Sequence, residues 1–233
     1  MRLLITHVTK MAHGFCCVAG VTEKEHQHIR PVIGQRLSVD LLAPEGAFDM
    51  GAIVDLGNVH DPRERPPEVE DRLFDPARAN RVGYVGGGRL WEVLQAGAAA
   101  TLLEIFGPDL ERHHSESASV PVLGGIASLG VYRPIAGCDL VLRADGTSST
   151  LRIRLPSEGL DLSLTDARYF ENEFRQPNLA RVRAAQTAIE SGAEVLLGVG
   201  LTRPYAVADD TEKRHWLQVN ALHLSTNPGL KLT

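Results

Sequence analysis

The chain is poor in cysteine and in aromatic residues, and it has no long apolar run. Its three cysteines include no Cys-x-x-Cys pair, which excludes a disulfide framework and favours the reduced thiols of an intracellular protein. No apolar stretch approaches the ~20 residues that a membrane helix requires, and the apolar start is too short for a signal-peptide core. We therefore predict a soluble, cytoplasmic protein that has no membrane partner.

An excess of basic charge is also lacking. Lysine and arginine together number 24 against 29 acidic residues, which gives a net charge of −5 and a pI of about 6.0. This balance argues against a broadly basic nucleic-acid surface, although a local basic groove is compatible with it. A chain of 233 residues is long enough for one large domain or for two of ~100 residues each.

The short motifs that mark common catalytic and cofactor sites are absent from the sequence. There is no Gly-x-Ser-x-Gly nucleophile elbow. The glycine runs at 86–88 and 124–125 lack the Lys-Ser/Thr of a phosphate-binding loop and do not fit the dinucleotide fingerprint. We interpret them as turns, and we predict no catalytic residue and no cofactor.

Possible metal ligands crowd the start of the chain. Zinc prefers cysteine and histidine, and this segment contains His7, His13, Cys16, Cys17, His26 and His28. Cys16 and Cys17 are adjacent, so on a strand they would point to opposite faces and could not readily both bind one ion. His26 and His28 would share a face, which leaves a weak site conceivable. Roles in the core or on the surface fit these residues better, and we predict no metal.

Apolar alternation and turn residues predict a mainly β protein with some helix. We predict strands at 2–8, 15–21, 28–33, 52–56, 120–131, 139–143, 151–155, 195–201 and 216–224. Apolar spacings of three and four predict one or two short helices over 89–106, with Gly97 as a break between them. A further helix is predicted from its cap Asn178 to Ser191. The polar segment 109–119 is the candidate linker.

From about residue 120 onward, the predicted order is strands, one helix and two more strands. An oligomer-binding (OB) barrel has this order, with its helix between the third and fourth strands. We therefore predict an α+β fold that is mainly β, with two OB-like β-barrels joined by a helical connecting segment. The predicted boundaries are 1–85 for the first β domain, 86–118 for the connector and 119–233 for the second β domain.

Two segments near the ends of the chain share a pattern of apolar run, polar turn and second apolar run. Each turn contains Thr-Glu-Lys-x-His, at 22–26 and at 211–215, and each segment carries an Arg-Pro pair, at 30–31 and at 203–204. Proline removes a ladder donor, so each pair should mark a strand exit or an edge. The preceding arginine could then present its guanidinium fork to a phosphate, or it could pair with a local acid.

Several blocks of the sequence resemble those of one family, the bacterial dual OB-containing domains. The amino-terminal blocks are Thr9-Lys10, His13-Gly14, Cys16-Cys17-Val18-Ala19-Gly20 and Ile29-Arg30-Pro31-Val32. The later blocks are Leu164-Thr165-Asp166-Ala167-Arg168, Gly200-Leu201-Thr202-Arg203-Pro204-Tyr205 and His215-Trp216-Leu217-Gln218-Val219-Asn220. The resemblance implies two OB barrels and a role in sensing or binding nucleic acid, often in bacterial defence. Residues 58–118 match nothing in that pattern.

The hypothesis that follows is a non-enzymatic module that binds nucleic acid or a nucleotide. Basic side chains would contact phosphate and exposed aromatic rings would stack on bases. The predicted contact residues are Lys10, Arg30, Arg152, Arg154, Arg203, Tyr205 and Trp216. Arg152 and Arg154 are included because they share the polar face of an alternating strand, and Lys10 because it lies in a glycine-containing turn.

Two alternatives stay open at this point. The first is a metal-dependent enzyme that processes nucleic acid or hydrolyses nucleotides with acids such as Asp139 or Asp166. For Asp166, the catalytic role competes with a capping role, because Thr and Asp before a short helix usually cap that helix. The second is a protein-interaction subunit that acts beside an effector protein partner, which the acidic net charge would suit.

Overall fold

Strands make up most of the regular structure in the computed structural model, which describes residues 1–22, 27–62, 65–145, 148–207 and 211–232. The strands of the first half are β1 (Arg2–Lys10), β2 (Phe15–Thr22), β3 (His28–Val32), β4 (Leu37–Ser38), β5 (Ala52–Asp55), β6 (Asp71–Leu73) and β7 (Asn80–Tyr84). The predicted turn at 22–26 falls mostly outside the described residues, and so does His26.

The second half adds three helices to a further series of strands. The helices are α1 (Gly87–Ala96), α2 (Leu102–Phe106) and α3 (Leu179–Glu190). The strands are β8 (Ala98–Ala99), β9 (Glu111–His113), β10 (Ser117–Pro121), β11 (Leu129–Tyr132), β12 (Asp139–Asp145), β13 (Ser148–Leu155), β14 (Leu160–Ser163), β15 (Phe170–Glu171), β16 (Gln176–Pro177), β17 (Val195–Leu201) and β18 (Arg214–Leu224). The described residues therefore form an α+β structure that is mainly β, as predicted.

Two large sheets organise the two halves. The first has the order β6-β3-β2-β1-β5-β7, with β4 paired to β2, and the second has the order β8-β11-β17-β18-β10-β9. A separate meander β12-β13-β14 and a short β15-β16 ribbon complete the second half. Across the described residues, neither large sheet closes into a barrel.

The predicted helices are confirmed by the structure. The Asn178 side chain accepts a hydrogen bond from the Arg181 amide at 3.1 Å and so caps α3. Gly97 ends α1, and α2 starts five residues later behind the cap Thr101.

Two predicted segments differ from what the structure shows. The sequence pattern predicts one strand over 120–131, but the structure divides this run between β10 and β11 by a turn in which Leu123 has φ 67° and Gly125 has φ 80°. The polar segment 109–119 contains β9 and the start of β10. Polar residues can form such strands because backbone hydrogen bonds hold β9 on the edge of the sheet.

Apolar packing joins the two halves as well as filling each of them. One cluster of buried side chains lies mainly in the first half and another in the second. A third cluster draws on both halves, and its buried members are Leu4, Val21, Met50, Leu90, Val93, Leu94, Val131, Leu196 and Ala221. Because each fully buried side chain of this size contributes ~1.5–3 kcal/mol, the third cluster fixes the halves against each other.

Polar contacts reinforce this junction. The carboxylate of Glu70, from the first half, accepts hydrogen bonds from the Ser128 amide at 2.8 Å, the Ser128 hydroxyl at 2.7 Å and the Leu129 amide at 3.1 Å. Here the first half accepts. At a second contact the first half donates, from the Lys10 amide to the Thr165 carbonyl of the second half at 2.8 Å. In the part of the chain that is described, no helix has the length and apolar character needed to cross a membrane.

Candidate ligand-binding cleft between the two halves

A cleft of about 430 Å³ opens where the two halves meet. We call it the junction cleft. The side from the first half consists of Thr9, Lys10, Met11, Ala12, Cys16, Cys17, Arg30, Pro31, Val32, Ile33, Gln35, Arg36 and Leu37. The side from the second half consists of Leu129, Leu201, Thr202, Arg203, Gln218 and Asn220. The volume lies in the range of small-ligand sites, and such sites favour boundaries between domains.

Positive charge distinguishes the lining of the junction cleft. Four cationic side chains border it, namely Lys10, Arg30, Arg36 and Arg203, and the described lining residues include no aspartate or glutamate. Gln35, Gln218, Asn220 and two threonines supply neutral hydrogen-bonding groups, and the remaining walls are mainly apolar. This combination suits an organic anion that has both a charged and an apolar part.

The two predicted Arg-Pro arginines converge on one carboxylate, that of Asp71 in β6. Arg30 Nε lies 2.5 Å from Asp71 Oδ1, and Arg203 Nη2 lies 2.7 Å from Asp71 Oδ2. Arg203 also pairs with Glu68, with Nη1 to Oε1 at 2.5 Å. Asp71 thereby joins a residue of the first half to a residue of the second, separated by 173 positions along the chain.

Arg30 differs from Arg203 in its surroundings. The Arg30 side chain is only 6% exposed, whereas that of Arg203 is 52% exposed. The Nη2 nitrogen of Arg30 is buried and has no hydrogen-bond partner. A buried donor without an acceptor is costly and uncommon in native proteins. Arg30-Pro31 also lies inside β3 rather than at a strand exit, because β3 pairs with β2 through residues 28–29 and with β6 through residues 30–32.

Lys10 lines the junction cleft from the last position of β1, and not from the turn in which the sequence analysis placed it. Its ammonium is 3.5 Å from the Phe174 carbonyl and 4.0 Å from the centre of the Phe170 ring. Burial lowers the pKa of Lys10 below its usual value. The same residue borders a second depression with His13, Glu173 and Arg175, so the predicted Lys10–His13 group has an acidic neighbour there.

The cleft cysteines are not poised for nucleophilic chemistry. Burial raises the pKa of Cys16 to about 12. Burial also raises the pKa of Cys17, although the guanidinium groups of Arg30 and Arg203 act in the opposite direction. Since the thiolate is the reactive form, neither thiol is activated in this structure.

One face of β18 leads from a group of aromatic rings, of which Tyr205 is exposed and Trp216 and His113 are partly buried, into the junction cleft. Trp216, Gln218 and Asn220 alternate along the strand and so share a face. The Trp216 ring lies 6.3 Å from Tyr205 and 5.1 Å from His113, measured between ring centres. Trp216 Nε1 donates to the Tyr205 carbonyl at 3.2 Å. We call these three rings the aromatic platform. Gln218 and Asn220, hydrogen-bonded to each other at 2.8 Å, continue the path to the cleft.

Arg152 and Arg154 lie elsewhere, on the β12-β13-β14 meander. Arg152 Nε is 2.8 Å from Asp161, Arg154 Nε is 4.0 Å from it, and Arg143 also pairs with this carboxylate. Asp161 is buried, while the side chains of Arg143 and Arg154 are about half exposed. The predicted basic strand face therefore exists around a buried acid, but neither of its predicted residues lines the junction cleft.

Asp166 has a structural role, as the capping interpretation predicted. Its side chain accepts a hydrogen bond from the Arg168 amide and caps the turn Ala167–Tyr169. The Arg168 guanidinium, fully buried, binds both Asp166 oxygens and the Leu222 carbonyl. Asp139 lies apart on β12. Among the described residues, no group of three or more histidines, cysteines or acids is arranged to hold a metal ion.

Several residues at the junction cleft were not predicted as contacts. Arg36, Gln218 and Asn220 line the cleft, while Asp71 and Glu68 do not line it but pair with its arginines. Asp71 and Glu68 carry no sequence signal, because they meet the arginines only through long-range packing. Gln218 and Asn220 belong to the last block of the family resemblance and alternate with Trp216 on β18, and these signals could have placed them.

The sequence was compared with protein-family models and with curated proteins. No family model matches it, and no curated protein matches it.

Proposed function

We propose that the protein is a non-catalytic module that binds single-stranded nucleic acid or a nucleotide, with the junction cleft as the binding site. The observation that carries this proposal is the cationic lining: four basic side chains and, in the described lining, no carboxylate. Phosphate is the anion that arginine forks and lysine bind most commonly in nucleic-acid interfaces.

The neutral groups of the junction cleft fit the rest of a nucleotide. The amides of Gln218 and Asn220 and the Thr202 hydroxyl can hydrogen-bond to sugar or base, and apolar side chains such as Leu129 and Leu201 can cover their faces. The aromatic platform, with Tyr205 47% exposed, provides rings for stacking beyond the cleft. Base–aromatic stacking contributes ~1–3 kcal/mol per base.

The proposal includes two OB-like units and membership of the dual OB-containing family, with its suggested place in bacterial defence. Its support is the family resemblance of the sequence blocks together with the order of elements in the second half. There the meander β12-β13-β14 precedes α3, and β17 and β18 follow it. An isolated parallel bridge between Leu164 and Val219 connects the end of the meander with β18.

Fluorescence anisotropy with labelled single-stranded DNA, single-stranded RNA and duplex DNA tests the proposal, with nucleoside monophosphates as competitors. We expect salt-sensitive binding to single strands or nucleotides because cation–phosphate contacts release counterions. The double variant Arg36→Gln/Arg203→Gln should weaken binding at least 10-fold. The matched control is Arg133→Gln, which changes an exposed arginine that also precedes a proline, Pro134, and lies outside the cleft.

Two results would overturn the proposal. One is the absence of salt-sensitive binding to any of these probes. The other is an equal loss of affinity in the Arg133→Gln control, which would place binding outside the junction cleft.

A further inference from the structure

We propose that Gln218 is the residue that reads the base in the junction cleft, and that its side-chain amide selects adenine. Asn220, Thr165 and Gly200 hold this amide in position. The inference rests on the proposed function and names the base that the bound strand or nucleotide presents to the cleft.

The first argument is the free hydrogen-bonding capacity of Gln218. This residue lies on β18, lines the junction cleft and is partly exposed. Its Nε2 donates one hydrogen to Asn220 Oδ1 at 2.8 Å. Its Oε1 accepts no hydrogen bond from a described residue, and the atom is not enclosed by the protein, so it is open to a ligand. The side chain therefore offers one acceptor and the second hydrogen of its amide as a donor.

The second argument is the buried amide that orients Gln218. Asn220 is only 6% exposed. Its Oδ1 accepts hydrogen bonds from Gln218 Nε2 at 2.8 Å and from the Thr165 hydroxyl at 3.4 Å, a hydroxyl that also lies 3.1 Å from the Val219 carbonyl. Because Asn220 presents an oxygen, Gln218 turns its nitrogen toward it and keeps its own oxygen free. A side chain held in this way loses little further freedom when a ligand binds, which favours affinity.

Gly200 supplies the space in which the Asn220 amide lies. It belongs to β17, which has a neighbouring strand on each side, and glycine weakens the interior of a strand because it has no side chain to pack. A Cβ at this position would lie 2.1 Å from Asn220 Nδ2, so a larger residue would displace the amide. The fold therefore has a glycine in an interior strand at the position that holds the anchor of Gln218.

Adenine is the base that a single amide satisfies most completely. Its pairing edge carries one donor, the 6-amino group, and one acceptor, N1, beside a C–H group, and its other edge pairs the same amino group with N7. Guanine, cytosine and thymine each carry three hydrogen-bonding groups on the pairing edge, so one amide leaves a group unpaired. Leu129 and Leu201 line the same cleft, and an unpaired polar group against such apolar walls is costly.

The experiment compares four six-nucleotide DNA strands, of adenine, cytosine, thymine, and a purine that is adenine without its 6-amino group. Each competes with a labelled thymidine strand in fluorescence anisotropy. A good glutamine–adenine contact discriminates by ~5-fold or more, so we expect the adenine strand to bind at least 5-fold more tightly than the cytosine and thymine strands. The strand without amino groups keeps the purine ring and its stacking, and it should bind at least 5-fold more weakly than the adenine strand.

Gln218→Leu is the diagnostic variant, because it removes the amide and keeps a side chain of similar size. We expect its preference for adenine over thymine to fall below 2-fold. The salt dependence of its binding to the thymidine strand should not change, since the phosphate contacts remain. Gln35→Leu is the matched control, because it removes an exposed glutamine elsewhere in the cleft lining, and it should keep the preference. If Gln218→Leu does not fold, the strand without amino groups tests the inference on the unaltered protein.

Two further variants separate reading from positioning. Gln218→Glu replaces the donor by an acceptor, and a carboxylate pairs with the adjacent N1–H and 2-amino donors of guanine. We therefore expect guanosine monophosphate to compete better than adenosine monophosphate against this variant. Asn220→Ala leaves Gln218 without its anchor. It should reduce the preference for adenine at least 3-fold and change the affinity for the thymidine strand less than 2-fold, a combination that a merely structural role would not produce.

The outcomes separate this inference from the proposed function. Equal binding of the four strands, or an adenine preference that persists in Gln218→Leu, overturns base reading by Gln218 and leaves nucleic-acid binding intact. A preference for cytosine or thymine overturns the selection of adenine. No binding of any strand or monophosphate overturns the proposed function itself.

Discussion

The boundary between the two halves has two regions that treat buried charge differently. In the first, which we call the closed region, β1 lies against β17 and β18, and it includes His7, His223, Gly198 and the pair Asp166–Arg168. In the second, the junction cleft, the same strands border an opening and Arg30 retains an unused nitrogen. Both regions contain a buried arginine paired with an aspartate, but only the pair in the closed region is saturated by hydrogen bonds.

The two arginines differ in how much of their hydrogen-bonding capacity the fold itself uses. Arg168 is 0% exposed and its guanidinium is bound by Asp166, the Leu222 carbonyl and the Leu230 carbonyl. Arg30 is nearly as buried, yet its partner Asp71 is shared with Arg203. Substitutions in the closed region should therefore reduce stability, and substitutions in the junction cleft should reduce binding.

The largest effect is expected for Arg168→Met. It leaves the Asp166 carboxylate buried without its counter-charge, and breaking a buried ion pair in this way costs ~3–5 kcal/mol. Urea denaturation followed by circular dichroism measures the free energy of unfolding. Arg203→Met is the control and should cost less than about 1 kcal/mol, because that side chain is 52% exposed. Equal losses in the two variants would remove the distinction between the regions.

A smaller loss is expected for Gly198→Ala in the closed region. The added Cβ would lie 2.4 Å from His7 Nε2 and 3.0 Å from the Ala221 Cβ, so the packed side chains must shift. Overpacking of this kind costs ~1–3 kcal/mol. Gly83→Ala, at a strand position with nothing within 4 Å of the new Cβ, is the matched control. The same denaturation experiment would contradict the prediction if the two variants were equally stable.

Acid should weaken the closed region through His7 and His223 and through the neighbouring His28, whose ring centre lies 6.0 Å from that of His7. Burial lowers the pKa of His7 to about 3 and of His28 to about 4, and it lowers the pKa of His223 well below 6.5. Arg168 adds to this effect on His7 and His223, His28 adds to it on His7, and His7 adds to it on His223. These pKa values are depressed in the folded state, so below pH 6.5 the unfolded chain binds more protons. Stability is complete above about pH 6.5 and is lost as the pH falls toward 3.

The slope of this loss is ~1.4 kcal/mol per pH unit for each excess proton on the unfolded chain. Urea denaturation between pH 7.5 and 5 measures this slope. His28→Gln should reduce the slope by up to the contribution of one proton, ~1.4 kcal/mol per pH unit. His13→Gln, at an exposed histidine, is the matched control. A stability that did not vary over this pH range would show that the closed region tolerates protonation.

The smallest effect is expected at the outer end of the binding path, for Tyr205→Leu. The ring is 47% exposed, so stability should change by less than about 0.5 kcal/mol. Affinity for single strands should fall ~5-fold or more, which corresponds to the lower end of the stacking range. Anisotropy titrations and denaturation of the same variant measure the two quantities. A larger loss in stability than in affinity would assign the ring to the structure of the second half.

Sequence reasoning was most successful where a signal is local. The cap Asn178 and the break at Gly97 depend on neighbouring residues, and both helices could be predicted from them. The division of 120–131 into two strands depends on the turn around Gly125. The sequence pattern predicts a turn at Gly124-Gly125 and a continuous strand over the same residues, and the turn interrupts that strand. The polar strand β9 is held by its neighbour β10 rather than by its own composition.

The candidate site was predictable only in part, for the same reason. The Arg-Pro pairs singled out Arg30 and Arg203, and the structure brings both to one cleft. Their common partner Asp71 comes from a segment without any recognisable pattern, and its role arises from packing between distant parts of the chain. Arg152 and Arg154 were predicted from alternation alone, which identifies a face of a strand but not what that face adjoins.

The third apolar cluster has a consequence for how such a protein can be inherited. Its members come from strands of both halves and from α1, so cutting the gene between the halves would expose apolar surface on each product. A single half could not be exchanged between proteins as a free-standing cassette. The two halves would therefore be inherited together. A duplicated single half would be stable only if another protein surface covered the apolar residues that the missing half buries.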